Sequence, residues 1–453
     1  MNDDSRLAEW ISEQHSRQPV QSTAMTVADG GRFRVTRVGA GQGSPVVLLP
    51  GMFDNRRLYL WPGGGGLAEA LAGSGLDIWI VERRGAGGVA VDTGVRAGWE
   101  EMVRIDLPAV QLLIATHNGR PAFWVAHSFG GVALARAAAE TMQQAQIAGL
   151  VLVESAVDIP LLANRVVAAT VQASMWRGMF PARLFRLGPE DEPVAAFQDA
   201  ISWGRAERAG GELSAALQAV RVPALAITAP RDVIAPAGRC KRLAQAFGSA
   251  DRRIQSAARR HGFARNHNHE SPLLHPSASA DVFPFLRDWF SARLDECTPD
   301  TAVTAPVGRH RLQYTVELDA PPEWTFDVLT HHWATLWPVR HRRVRAGVHP
   351  RAPDGLRSVR AQRALGVWPI QEEIVGHRPA RLIEYRTIRG PVRNHFGRIE
   401  LTAVPGRGTR LDYSISFDTP AWVPGRLLAA VLDVTWRFYS LPRLRHQTGG
   451  GGW

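Results

Sequence analysis

The sequence predicts two domains of different class: an α/β domain with a mainly parallel sheet, then an α+β domain built on antiparallel strands. Three observations carry this expectation. Between Arg32 and Leu294, short apolar runs alternate with longer amphipathic segments, the rhythm of strands covered by helices on both faces. A Pro/Thr-containing stretch at 296–307, opening Glu296-Cys297-Thr298-Pro299, interrupts that rhythm. Beyond it, strand-like segments follow one another and the chain closes on one long helical pattern.

The elements follow in order. Residues 1–30 are polar and mixed, and read as an extension with a short helix and a loop. Arg32–Gly39 alternates with period two, as a half-exposed strand does. Pro45–Pro50 and Asp77–Glu82 are continuous apolar runs, the mark of strands buried on both faces. A short helix at Leu67–Leu71 lies between them. Trp99–Thr116 has helical spacing, with Met102, Ile105, Ala109 and Leu112 on one side. Phe123–Ala126 reads as a strand and Gly131–Met142 as an alanine-rich helix. Ala148–Val153 and Ala224–Thr228 are two further strands, and Asp281–Leu294 is a closing amphipathic helix. Residues 156–210 break the alternation with helical patterns rich in apolar bulk (Leu161, Leu162, Met175, Trp176, Met179, Phe180) and no strand signal. Such an insertion reads as a cap or, alternatively, an added helical layer.

In the second domain, 308–446, Arg311–Leu318 alternates and Pro321–Leu329 has helical character. Alternating strands follow around Arg357–Ala364, Gln371–Val375, Arg381–Ile388, Phe396–Ala403 and Arg410–Phe417. Pro424–Tyr439 ends the domain as a long helix, and 447–453 read as a flexible tail.

Composition narrows the function classes. Apolar residues make up 45% of 453 and charged residues 21%, as in a globular protein with cores that need no covalent staple. The formal charge is +11, which by itself suggests nucleic acid or an anionic membrane. Its distribution changes that reading. Residues 1–300 carry 31 basic and 30 acidic groups, whereas residues 301–453 carry 22 and 12. The excess belongs to the second domain, and Lys241 is the only lysine. The arginines there (Arg386, Arg389, Arg393, Arg398, Arg410) are spread over strand positions among acidic residues, which favours a solvated face over nucleic-acid binding. Two cysteines, Cys240 and Cys297, cannot make a disulfide framework or a thiolate zinc site and suit a reducing compartment. The acidic start, Met1-Asn2-Asp3-Asp4, lacks the pattern of a signal peptide, and no stretch reaches 18 uninterrupted apolar residues. A cytoplasmic protein without an integral membrane segment is expected.

The chemical signal is concentrated in Trp124-Val125-Ala126-His127-Ser128-Phe129-Gly130-Gly131. A buried strand runs into a serine flanked by small residues and then into a helix. Small residues two before and two after the serine permit the sharp turn that lifts its hydroxyl above the sheet. The helix start supplies free N–H groups and a favourable dipole for a developing anion. A serine hydroxyl needs a base, and the base needs an acid. Asp232 follows the strand Ala224–Thr228 and lies on the same sheet rim, with Glu154 in reserve. His261, His267, His269 and His275 crowd the segment before the last helix. His269 suits the base position best, and His267 is next. A metal site on His267 and His269 is the alternative for that pair. Leu48–Phe53 leaves a buried strand through Gly51, which makes the backbone N–H groups of Met52 and Phe129 the candidate oxyanion donors.

On the stretches PVVLLPGMFDNRRLY (45–59), DIWIVERRGAG (77–87), Asp106-Leu107-Pro108-Ala109 and WVAHSFGG (124–131), residues 31–295 resemble the α/β-hydrolase superfamily, in particular its lipase-like and esterase-like members. The resemblance implies an α/β-hydrolase fold with a helical cap and serine-hydrolase chemistry, with Ser128, Asp232 and His269 at the family's nucleophile, acid and base positions. The chain departs from the family at Ala126, often glycine there, and at Pro50-Gly51, often His-Gly. Haloalkane dehalogenases and most epoxide hydrolases of the fold need an aspartate where Ser128 stands. Residues 308–446 resemble the START-like polyketide cyclase/dehydrase superfamily, through VELDAPPEWTFDVLT (316–330), Trp333 and Trp337, GLRSVR (355–360), PARLIEYRTIRGPVRNHFGRIEL (379–401) and GTRLDYSISF (408–417). That implies a helix-grip fold around an apolar cavity.

The function expected is therefore hydrolysis of an ester or related acyl bond in a hydrophobic substrate, needing no cofactor and no metal, with a second domain that binds an apolar small molecule or lipid. The alternative is a non-catalytic carrier with a degenerate hydrolase domain. A cyclase or dehydratase in the second domain finds no pair of titratable residues that insists on it.

Overall fold

In a computed structural model of the chain, residues 6–13, 17–39, 41–160, 169, 171–173, 176, 178–294, 308–364, 368–405 and 408–449 are described. The chain divides into two compact units, one holding Met1–Arg259 and Phe263–Phe290, the other Arg260–Gly262 and Ser291–Trp453.

The first unit is built on a mixed sheet. Its strands are Arg6–Leu7 (β1), Ile11–Glu13 (β2), Val20–Thr26 (β3), Arg32–Val38 (β4), Pro45–Leu49 (β5), Asp77–Val81 (β6), Ala122–His127 (β7) and Ile147–Val153 (β8). After a two-stranded ribbon of Met179–Phe180 (β9) and Glu192–Pro193 (β10), it resumes with Ala224–Thr228 (β11) and Arg252–Ser256 (β12). The spatial order is β1-β3-β4-β6-β5-β7-β8-β11-β12, with β2 beside β3. From β6 to β12 every pairing is parallel, whereas β4 meets β6 antiparallel. The apolar runs explain the placement: β5, β6, β7 and β11 are buried along their whole length, as strands covered on both faces must be. Because β5 has β6 on one side and β7 on the other, the order reverses there, and the loops leaving β5 and β7 part at their C-terminal ends.

Several local expectations change. Residues 20–26 form a strand where a helix and loop are expected, since the partner that recruits them, β4, begins beyond the segment. The arginine-rich β12 has no sequence signal of its own and is held by β11. The helix expected over Gly131–Met142 begins at Ser128 and ends at Glu140. The insertion contains the short β9 and β10, and a long helix, Val194–Gly210; its stretch 161–168, with Leu161 and Leu162, lies outside the described residues, as does Met175. Cys240 is a buried thiol, and Cys297 lies outside the described residues.

The second unit is a seven-stranded antiparallel sheet. Its strands are His310–Leu318 (β13), Arg340–Arg345 (β14), Val359–Ala364 (β15), Trp368–Arg378 (β16), Leu382–Arg389 (β17), Arg393–Val404 (β18) and Gly408–Asp418 (β19), in the order β13-β19-β18-β17-β16-β15-β14. Helix Pro322–His331 and the C-terminal helices pack over an aromatic core that includes Phe326, Trp333, Tyr385, Tyr413, Phe417 and Trp436. The C-terminal helical run covers Gly425–Thr435, Trp436–Ser440 and Leu441–Gly449. It therefore takes in 447–449, where a flexible tail is expected. The arginines are not all on a solvated face: Arg345, Arg357 and Arg360 are buried, and the first two hydrogen-bond Glu373. No helix among the described residues is long and apolar enough to cross a membrane.

Candidate active site

Ser128 sits at the end of β7, which is buried throughout, and opens the helix that follows. Its φ is +53°, a left-handed backbone that an L-residue adopts at a cost of about 1–3 kcal/mol and only when its surroundings enforce it. The glycines beside it show what enforces it. A Cβ on Gly51 would lie 2.8 Å from Ser128 Cβ and 3.0 Å from the His127 carbonyl oxygen, and one on Gly130 would run into the Pro50 carbonyl oxygen. Ala126 occupies its slot fully buried.

Ser128 Oγ is 3.0 Å from His269 Nε2, and His269 Nδ1 is 2.8 Å from Asp232 Oδ2. The other oxygen of Asp232 accepts the backbone N–H groups of Ile234 and Ala235, each at 2.8 Å. Burial by itself would raise the Asp232 carboxyl; the hydrogen bond and charge of His269, with bonds from Glu154 and Ala235, outweigh it and hold the group below its ordinary range. Asp232 is thereby kept ionised against the imidazole of His269.

The other candidates go elsewhere. His267 is fully buried, with Nδ1 3.1 Å from Ser271 Oγ and Nε2 3.7 Å from Asp281 Oδ2. His275 Nδ1 is 2.9 Å from Ser277 Oγ, and His261 lies in the turn Arg259–His261. Since both ring nitrogens of His269 face Ser128 and Asp232, a metal shared between His267 and His269 has no free ligand atom on His269. Glu154, the reserve acid, is fully buried behind Asp232 and accepts the Ala229 N–H at 2.8 Å. Burial, then the hydrogen bond and charge of Asp232, push its carboxyl well above the ordinary range.

Met52 follows Gly51 in the loop after β5, and β5 pairs β7 through Leu49 and Ala126. Phe129 contributes a first-turn N–H of the helix Ser128–Glu140, one of those with no partner inside the helix. The Met52 loop is held by residues that sequence reasoning did not single out. Arg83 Nη1 donates to the carbonyls of Gly51 at 3.1 Å and Asp54 at 3.0 Å. Glu192, from β10, accepts the Phe53 N–H at 2.9 Å and pairs with Arg83. Tyr59 Oη donates to the Leu49 carbonyl at 2.8 Å. His127 Nε2 lies 3.0 Å from the His269 carbonyl oxygen, its Nδ1 3.5 Å from Asp54. The sequence separation of Arg83 and Glu192 hides their pairing. Around the loop, Phe53 packs on Phe197 (5.7 Å between centroids) and Phe180 (6.4 Å), and Phe129 stacks on Trp203 (5.8 Å), so the insertion lends the site an apolar surround.

The second unit encloses a cavity of about 180 Å³ lined by Trp333, Trp337, Ile415, Phe417, Leu428 and Leu432, among others. A half-buried carboxyl also lies on its wall: Glu372, hydrogen-bonded by Gln362 and raised to about 7 by desolvation, against the opposing charge of Arg360 and the bond from Gln362. The alternation of β16 did not single out this carboxyl, because its neighbour Glu373 reads the same way in sequence. Tyr385 and Tyr413, whose hydroxyls hydrogen-bond each other, also belong to the polar part of the wall, with Thr387 and His395, 2.9 Å apart through Oγ1 and Nδ1.

Residues 44–199 match the family model described as serine aminopeptidase, S33, and residues 309–438 the one described as polyketide cyclase/dehydrase and lipid transport. Among solved structures, the chain is similar to a monoacylglycerol lipase of Paleococcus ferrophilus (16% identity, TM-score 0.45, 58% of this chain and 99% of that one). It is also similar to a soluble variant of the monoglyceride lipase of Saccharomyces cerevisiae (14%, 0.45, 65% and 99%) and to a thermophilic esterase from Thermogutta terrifontis (19%, 0.41, 63% and 99%). No curated protein matches the chain.

Proposed function

We propose, for a chain that joins an α/β-hydrolase domain to a START-like domain of the polyketide cyclase/dehydrase and lipid transport kind, that it is a serine hydrolase of carboxylic esters or related acyl compounds with an apolar portion. The observation that carries the proposal is the hydrogen-bonded chain from Ser128 Oγ through His269 to Asp232, at 3.0 and 2.8 Å. In this reading Ser128 Oγ attacks the acyl carbon while its proton passes to His269 Nε2. The carbonyl oxygen takes the electron pair and is met by the N–H groups of Met52 and Phe129. Collapse expels the alcohol, which leaves with the proton from His269. Water then attacks the acyl-enzyme, gives a proton to His269, and the second collapse returns it to Ser128. Asp232 remains ionised throughout and keeps Nδ1 protonated, so that Nε2 is the free base. The aromatic surround of Phe53 and Phe129 supports an apolar acyl or alcohol group, and the lining of the second cavity supports an apolar small molecule or lipid as its occupant.

A fluorophosphonate probe tests this. It should label the wild-type chain and not Ser128→Ala, and that variant should lose on the order of 10⁴-fold or more in turnover of a p-nitrophenyl ester. His269→Ala should lose far more than His267→Ala. Labelling or ester turnover that survives Ser128→Ala would refute the assignment of Ser128 as nucleophile, and an unreactive wild type would favour a carrier without turnover.

A further inference from the structure

The C-terminal helix of the second unit carries apolar side chains on two faces. Leu428, Leu432 and Trp436 pack into the domain core. On its outer side Leu427, Val431, Val434 and Phe438 follow one another at intervals of four, three and four residues. That spacing lines them along a single stripe, and they are 62%, 43%, 55% and 77% exposed. Trp422, two residues before Pro424 at the helix entrance, is 69% exposed and extends the stripe. A helix on a globular surface ordinarily buries its one apolar stripe and presents polar residues outward. An exposed apolar row of this length marks an interaction site.

Charge identifies the partner. Arg426, Arg437, Arg443 and Arg445 are exposed on the same helical run, against a single acidic residue, Asp433, which Arg437 pairs at 2.9 Å. The excess extends to the whole domain, with 22 basic and 12 acidic residues over 301–453. An apolar stripe with aromatic residues toward both ends, flanked by arginines, is what an interfacial helix offers to a bilayer carrying negative headgroups. The same helix walls the internal cavity through Leu428, Leu432 and Thr435, and Val431, at the edge of the outer stripe, borders both that cavity and the exposed face. A bilayer against its outer face would lie one helix away from that cavity. We propose that the outer face of Gly425–Ser440 docks the protein on anionic lipid bilayers, in the plane of the interface and without crossing it.

The full-length chain is to be sedimented with phosphatidylcholine vesicles containing about one third phosphatidylserine and with phosphatidylcholine alone, at about 0.1 M and about 1 M salt. Partition is expected onto the anionic vesicles at low salt, and it should weaken at high salt or without phosphatidylserine. The double substitution V434D/F438D should lower it at least about tenfold. R426Q and R445Q should each lower it about fivefold. None of these residues lines the cavity or the candidate active site, so unchanged circular dichroism and unchanged turnover of a water-soluble ester identify V434D/F438D as folded. Absence of binding to anionic vesicles, or binding that V434D/F438D leaves intact, overturns the proposal. So does a dimer of the free chain that V434D/F438D dissociates without any vesicle binding, which would make the stripe a contact with a second copy.

Discussion

Replacing Glu154 by glutamine probes how the candidate acid is supported from behind. Glu154 directly follows β8, with no exposure and a φ of +50°. One of its oxygens accepts the Ala229 N–H at 2.8 Å, and its carboxyl, when protonated, donates to Asp232. Two buried carboxylates in contact cannot both ionise cheaply, so the proton resides on Glu154 and the charge on Asp232. The unfolded chain releases the Glu154 proton near the ordinary value of 4.5, whereas the folded chain retains it well above that. Between those values the native state binds one more proton than the unfolded state, and this group lowers stability by about 1.4 kcal/mol for each pH unit climbed. Glutamine keeps the shape, can accept from Ala229 and can donate to Asp232, and does not titrate. At pH 4.5 and below, Glu154→Gln should therefore lie within about 1 kcal/mol of wild type. Above it, the variant should gain on wild type by about 1.4 kcal/mol per pH unit until the folded carboxyl ionises. Urea midpoints of both proteins over pH 4.5–7, followed by hydrogen exchange of the peptides spanning Ala224–Ala235, give the slope directly. A difference that stays flat with pH would mean that Glu154 is ionised in the native protein, and the proton assignment would fail.

Further expectations concern the base, the loop and the second domain. Asp232→Asn should keep the fold and lower kcat by on the order of 10⁴-fold, because an amide no longer holds the ring in the tautomer that leaves Nε2 free; steady-state turnover alongside circular dichroism checks it. Glu192→Ala leaves the buried Arg83 guanidinium without its carboxylate and the Phe53 N–H without its acceptor. It should cost about 3–5 kcal/mol, with R83M/E192L recovering much of the loss in urea denaturation. In the second domain, burial would raise Glu373, but the charges of Arg357, Arg345 and Arg386 bring it down to about 2 from 4.5. Its contribution, on the order of 3 kcal/mol, should be fully present above pH 4.5 and disappear as pH falls toward 2. Acid titration of wild type against Glu373→Gln should show the variant losing this dependence.

Much of the fold around the candidate site was legible in the sequence because it is local. A strand buried on both faces announces itself as a run of apolar residues, and the elbow at Ser128 needs small residues within a few positions of the serine. The rim of the sheet follows from the strand ends, so Asp232 after β11 and Met52 after β5 could be placed on it as candidates without coordinates. What the sequence could not decide depends on side chains brought together from far apart. His267 and His269 are two residues apart in the same segment, and only the capture of His267 by Ser271 and Asp281 leaves His269 to face Ser128. Likewise, residues 20–26 become a strand because β4 pairs with them.

The sequence by itself determined two fold classes, the candidates Ser128, Asp232 and His269 in that chain order, and the domain that carries the excess positive charge. Periodicity, turn chemistry and composition are properties of neighbouring residues. Tertiary structure alone decided which acid is ionised, since Glu154 and Asp232 differ only in burial and partners. It also decided how the Met52 loop is held, through Arg83 and Glu192, which are 109 residues apart. And it separated the arginines that are buried against Glu373 from those left on the outer face of the C-terminal helix. Each of these depends on desolvation and on distance across the fold, quantities fixed only when the chain has closed around them.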